Sequence, residues 1–100
     1  MFSDETELIQ RIAVALIRRK ERMGVAESCT GGLIGAACTS LPGSSQWFER
    51  GVISYSDQSK SELLGVPAGL IALHGSVSEA VAVHMARGLL AHAPLDWALA

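Results

Sequence analysis

Helical and extended hydrophobic patterns alternate along this chain, and that alternation leaves it few folds to choose from. Leu8, Ile9, Ile12, Ala13, Leu16 and Ile17 recur at helical spacing, and Asp4 with Glu7 forms an Asp-x-x-Glu pattern able to cap the start. The spacing predicts a first helix over about 6–22, ended by Gly24. Val25 and Ala26 then open a short buried strand that feeds a turn at Glu27, Ser28, Cys29 and Thr30. After Gly31 and Gly32, the small apolar run from Leu33 to Cys38 suits a tightly packed helix with its N-terminus at that turn.

The second half repeats the alternation. Pro42-Gly43-Ser44-Ser45 is a loop by composition, anchored to the core by Trp47 and Phe48. Gly51 to Ser56 has strand content, with Val52 and Ser54 on one face and Ile53 and Tyr55 on the other. Asp57 is placed to cap a short helix carrying Lys60, Leu63 and Leu64 and closed by Gly65 and Pro67, so Tyr55, Ser56 and Lys60 are expected close together. Leu70 to Leu73 reads as a helical turn before His74-Gly75, and Ser76-Val77-Ser78-Glu79 as a capping box. The helix it starts is expected over about 78–91, burying Val81, Ala82, Met85, Leu89 and Leu90, with Leu95 to Ala100 opening a further strand after Pro94. The sum is one α/β domain with a mostly parallel or mixed sheet and helices on its faces.

Composition excludes some functions. A formal charge of -2 with scattered Lys and Arg forms no basic face, so a nucleic-acid partner is not expected. The one basic run, Arg18-Arg19-Lys20, complements a helix C-terminus. No apolar run reaches the ~18 residues of a membrane span, and the start, Met-Phe-Ser-Asp-Glu, carries acid where a signal peptide carries base. A cytoplasmic protein with no membrane partner and reduced thiols at Cys29 and Cys38 is expected. On one helix those two cysteines would face opposite ways. A chain of 100 residues has little core to spare, which favours a homo-oligomer.

Two stretches are able to carry chemistry. At Glu27-Ser28-Cys29-Thr30-Gly31-Gly32, a strand-to-helix turn would present the Ser28 hydroxyl beside unpaired backbone amides able to hold an oxyanion. The plainer reading is that Ser28 or Thr30 caps the helix and the glycines allow close packing. The Gly-Lys-Ser/Thr ending of a phosphate-binding loop is missing. At Tyr55-Ser56-Asp57-Gln58-Ser59-Lys60, Lys60 would serve a serine nucleophile as base if burial or a nearby cation favours its neutral amine, or else be a solvated helix residue. Tyr55 is either a half-buried strand aromatic or a proton relay. Cys29, at a helix N-terminus, is a further candidate nucleophile. His74, His84 and His92 lack the spacing of zinc ligands, so no metal is expected, and His74 reads as a loop-ordering residue.

Six motifs in order then resemble one family: E-S-C-T-G-G at 27–32, P-G-S-S at 42–45, W-F-E-R-G at 47–51, Y-S followed by Lys60, L-L-G-V at 63–66 and H-G-S-V-S-E at 74–79. Their order and spacing are similar to the CinA C-terminal domain, the PncC-type nicotinamide-nucleotide amidohydrolases, from the first helix to the chain end. The resemblance implies a three-layer α/β/α sandwich without a cofactor. It implies hydrolysis of a small nucleotide substrate, nicotinamide mononucleotide, to nicotinate mononucleotide and ammonia in pyridine-nucleotide salvage. Carried over by position, Ser28 is the nucleophile, Lys60 its general base and Tyr55 a helper in proton transfer, with Cys29, Thr30, Gly31 and Gly32 around the oxyanion. Ser44, Ser45 and Arg50 are loop-position candidates for the substrate phosphate. Two departures accompany it. Family members continue into a T-G-I-A-G-P-like segment, so this chain is expected to lack the usual C-terminal portion. Asp57 stands where Asn is common, placing a negative charge that favours the ammonium form near Lys60. The competing expectations are a non-catalytic nucleotide-binding or assembly module of the same fold, and a thiol enzyme using Cys29.

Overall fold

The structure, a computed structural model, describes residues 3–100, with side chains from residue 5 onward. The expected Asp4 cap and the reading of Met1 and Phe2 lie outside the described residues. The elements are α1 (Ser3–Arg19), β1 (Met23–Glu27), α2 (Leu33–Thr39), a 3-10 turn (Ser44–Gln46), β2 (Phe48–Ile53), α3 (Asp57–Leu64), α4 (Ala68–His74), α5 (Glu79–His92) and β3 (Trp97–Leu99). The three strands form one parallel sheet in the order β2-β1-β3.

Every residue of β1 is buried, because it is the central strand and both of its faces are covered. Its side chains alternate between two cores. Met23 and Val25 pack with Ile9, Ala13 and Leu16 of α1, with Ala37 and Cys38 of α2 and with Trp47. Ala26 packs on the opposite face with Leu64, Val66, Ile71, Val81, Met85 and Leu89. This is the three-layer α/β/α arrangement, α1 and α2 on one side and α3 to α5 on the other. The β1-to-β2 connection moves one way along the sheet and the return to β3 passes to the other side of β1. The carboxyl ends of β1 and β3 therefore flank a topological switch point, where open α/β sheets place their ligands.

Several expected boundaries move. α1 stops at Arg19, because Lys20 adopts the left-handed conformation (φ 56°) and Glu21 N donates to the Leu16 carbonyl at 2.9 Å. Gly24, expected as the helix terminator, sits inside β1, where a Cβ would lie 2.7 Å from Leu95 Cδ1 and 2.8 Å from the Arg50 carbonyl. β2 begins at Phe48 and ends at Ile53, since Met23 N donates to the Trp47 carbonyl (2.8 Å) and starts the ladder there. Ser56, not Asp57, caps α3 by accepting from Ser59 N at 3.1 Å. Ser78, not Ser76, caps α5 by accepting from Val81 N at 3.3 Å. The turn expected at 70–73 is the longer α4, while Ala82 is only half-buried and Leu90 is exposed. Among the described residues no helix is long and apolar enough to cross a membrane.

The tightest crossing is α3 against α5, where a Cβ on Gly88 would lie 1.9 Å from the Leu64 carbonyl oxygen. A methyl group there cannot be absorbed by a side-chain rotation, because the obstruction is backbone. Gly88→Ala is expected to destabilise the fold by roughly 3 kcal/mol. Gly69→Ala, in α4 with nothing within 4 Å of the new Cβ, should be neutral or up to about 1 kcal/mol stabilising. Urea unfolding of both variants checks the contrast.

Candidate active site

The end of β1 shapes the site. Glu27 continues the alternation toward the α1/α2 side, and its side chain is 3% exposed. Its Oε1 accepts from Thr30 Oγ1 at 2.6 Å and from Ile34 N at 2.9 Å, while Oε2 accepts from Gly35 N at 2.9 Å. One carboxylate thus closes the turn and satisfies two amides of the first turn of α2, whose N-cap residue, Gly32, has no side chain to do so. Burial acts to raise the Glu27 carboxyl, but the Thr30 hydroxyl and the amides of Gly35, Ile34 and Gly32 outweigh it and hold the group below its ordinary value of 4.5. The signal for Glu27 in the sequence is an acid at a buried strand end, three residues before Thr30 and five before the glycine cap of α2.

With Glu27 turned to one side, Ser28 falls on the other. It lines a cavity of about 230 Å³ at the switch point, which Glu27, Cys29, Thr30, Ser76, Ala82 and Met85 also border. Ser28, Cys29 and Thr30 are therefore brought together as expected from their adjacency. The turn's own bonding selects among its donors: Gly31 N donates to the Ser28 carbonyl at 3.1 Å, and Leu33 N to the Thr30 carbonyl at 3.2 Å. Among the described residues the amides of Cys29 and Thr30 donate no such backbone bond, and both residues line the cavity. The thiol of Cys29 is exposed and that of Cys38 buried, and both are free; Cys29 lies in the turn rather than on α2. Burial, and then the Glu27 charge, push the Cys38 thiol up.

Lys60 is the second component. It is 1% exposed on α3, and Nζ donates to the Tyr55 carbonyl at 2.8 Å, with Asp57 Oδ1 at 3.9 Å. The solvated reading of this lysine is thereby set aside. Ser54 N donates to the Glu27 carbonyl at 2.8 Å, which extends the β1–β2 ladder by one bond and sets the Ser54-Tyr55 segment beside the Ser28 turn. Lys60 does not line the Ser28 cavity, however. The Tyr55 side chain, 76% exposed, lies past the end of β2, so it is the main-chain carbonyl of this residue rather than its phenol that reaches Lys60.

Ser44, Ser45 and Arg50 are not brought to this site. The 42–45 loop enters β2 at its amino end, and in a parallel sheet that end lies at the opposite edge from Ser28, about 15 Å away for a five-residue strand. Ser45 gives its carbonyl to Arg22 Nη2 at 3.4 Å, and Arg50 Nε is engaged with both carboxylate oxygens of Glu49 at 2.6 and 2.8 Å. Loop composition could not tell one edge of the sheet from the other. Ser76, which sequence reading took for a helix cap, instead lines the Ser28 cavity and the neighbouring one of about 530 Å³ that includes Asp57, Gln58 and Ser61. His74 is exposed at the end of α4, and among the described residues no three of His, Cys, Asp and Glu converge on a point.

The model of the CinA C-terminal domain matches residues 5–100. This chain belongs to that family. Among its relatives, a CinA-like protein of Prochlorococcus marinus (strain NATL2A) is 46% identical over 99 residues, covering 98% of this chain and 23% of the relative. The nicotinamide-nucleotide amidohydrolase PncC of Escherichia coli (strain K12) is 42% identical over 97 residues, covering 97% of this chain and 59% of PncC. In solved structures, the competence/damage inducible protein CihA of Agrobacterium tumefaciens superposes with a TM-score of 0.93 at 36% identity, covering 96% of this chain and 58% of that one. The competence damage-inducible protein A of Klebsiella pneumoniae superposes with a TM-score of 0.90 at 41% identity, covering 93% and 58%. This CinA-family chain thus spans less than two thirds of the relatives it matches.

The lowered Glu27 value makes the site's scaffold sensitive to acid. An unfolded carboxyl titrates near 4.5 and the native one below it, so the stabilisation by Glu27 is complete above about pH 4.5 and is lost as pH falls through the native value. Glu27→Gln is expected to cost about 1–3 kcal/mol at pH 7, with the cost shrinking as pH falls below about 4.5. Urea unfolding of wild type and variant at a series of pH values from 7 downward measures the difference.

Proposed function

We propose that this domain is the catalytic part of a cytoplasmic, metal-independent amidohydrolase that converts nicotinamide mononucleotide to nicotinate mononucleotide and ammonia. The observation that carries the reading is the buried Lys60, held by a main-chain carbonyl two residues beyond the end of β2, next to the Ser54 amide that bonds the Glu27 carbonyl. The 42% identity to PncC supplies the substrate class. A buried amine held beside the serine turn is a base that a serine nucleophile without a histidine partner can use. Asp57 Oδ1 stands 3.9 Å from Nζ, outside hydrogen-bond range.

In this reading Ser28 Oγ attacks the carboxamide carbon and its proton passes to Lys60. The amides of Cys29 and Thr30 receive the oxyanion, and the proton returns to the departing ammonia. Water then hydrolyses the acyl-enzyme by the same route in reverse. A preorganised donor pair of this kind contributes about 10²–10³ in rate. The apolar wall of Met85, Ala26 and Ala82 fits a flat aromatic ring, and Ser76 and Ser78 offer hydroxyls at the rim. Homo-oligomer formation belongs to the same proposal. One observation favours the second reading, a non-catalytic nucleotide-binding or assembly module: Lys60 stands outside the Ser28 cavity.

The test is ammonia release from nicotinamide mononucleotide, with and without a chelator, by this chain and by a form extended to the length of PncC. Activity that resists chelation, drops at least about 10³-fold in Ser28→Ala and in Lys60→Met, and survives in Cys29→Ser is the expected outcome. Activity retained in folded Ser28→Ala, or none from either length, transfers the assignment to the non-catalytic module. Loss in Cys29→Ser alone would identify a thiol enzyme.

A further inference from the structure

Ser54 presents an unexplained cost. It is completely buried, and its Oγ is the one buried side-chain polar atom among the described residues that finds no hydrogen-bond partner. Folding strips such a hydroxyl of water and returns nothing, so an alanine there would serve the fold at least as well. Its location answers the question of use. Ser54 lies two residues beyond Val52, which packs in the core beneath α3 and α5, and strand alternation turns both side chains to that side. Its amide donates to the Glu27 carbonyl next to Ser28, and the carbonyl of the following residue, Tyr55, holds Lys60 Nζ. Ser54 is thus the residue through which the nucleophile's turn and the lysine are joined.

Lys60 has the opposite deficit. An amine that has taken a proton carries three N–H donors. At 1% exposure this one finds a single acceptor, the Tyr55 carbonyl at 2.8 Å, with the Asp57 carboxylate too far at 3.9 Å. A donor short of acceptors and an acceptor short of donors stand on the same side of one strand end. We propose that Ser54 is a positioning residue, whose hydroxyl turns to accept a hydrogen bond from Lys60 when the lysine takes the Ser28 proton. Rotation about χ1 moves Oγ among staggered positions without displacing the strand. The proton balance is simple: Ser28 loses one proton, Lys60 gains it, and Ser54 gains an interaction without changing protonation. This rests on the serine and lysine reading above and adds to it a residue that motif and family-position arguments did not select.

The test compares Ser54→Ala with wild type in two measurements on the same chain. Thermal unfolding reads the structural cost, and the rate of Ser28 sulfonylation by phenylmethylsulfonyl fluoride, followed by peptide mass spectrometry, reads nucleophile activation without substrate. The expected result is an equal or higher Tm with labelling slowed at least tenfold. In any form that turns over nicotinamide mononucleotide, kcat should fall by a similar factor with KM within twofold. Labelling at the wild-type rate overturns the role of Ser54 and leaves the serine and lysine reading standing. A lower Tm overturns it too, by showing that the hydroxyl serves the fold. Wild-type protein labelled no faster at Ser28 than folded Lys60→Met overturns the underlying reading and the proposal with it.

Discussion

A single carboxylate sets the geometry on which the site depends. Glu27 ends the central strand inside the protein, and its two oxygens are shared among a hydroxyl and two amides of the following helix. A buried acid is tolerated only where its charge is met, and here the first turn of α2 meets it with oriented N–H groups. The same bonds close the 27–30 turn tightly and orient Ser28 away from α2, toward the α3–α5 layer. The first-turn amides of α2 are largely spent on Glu27. What remains for the cavity is the pair of amides at Cys29 and Thr30.

The two cores divide the labour around that point. Trp47, Met23 and Val25 lock α1 and α2 onto one face of the sheet and have no part in the cavity. On the other face Met85 and Ala26 serve both the core and the cavity wall, so the floor of the site is as rigid as the packing below it. Lys60 emerges from that second layer beside Leu64, close to the crossing enforced by Gly88. Its position is therefore tied to helix packing rather than to a surface loop.

Sequence periodicity disclosed most of the architecture because burial on two faces leaves strong signals: the helical stripe of α1, the short apolar β1 and the β-branched stretch at β2. It misjudged the element ends where single bonds decide, as at Lys20, Ser56 and Ser78. Gly24 misled because a glycine needed for close approach inside a strand is spelled like one that ends a helix. At the site, Ser28 and Lys60 were singled out from chemistry and motif order, and the structure supplies the burial that separates Lys60 from an ordinary surface lysine. Ser54 reads only as a strand residue and Ser76 only as a cap, since a serine carries no mark of being buried without a partner or of lining a cavity. Ser44 and Ser45 drew notice as loop residues, and only strand direction reveals that they lie at the far end of the sheet, while Arg50 lies within β2 opposite Gly24.

The anchor of Lys60 has an evolutionary corollary. The lysine nitrogen is tied to the peptide carbonyl of residue 55 and to no part of its side chain, which stands in solvent. A carbonyl is common to all amino acids, so genetic drift at codon 55 leaves the lysine's tether intact. Only changes that bend the backbone, proline foremost, reach it. The phenol is then free to be selected for something else, and the variability of that position among relatives measures what the exposed ring does without disturbing the lysine.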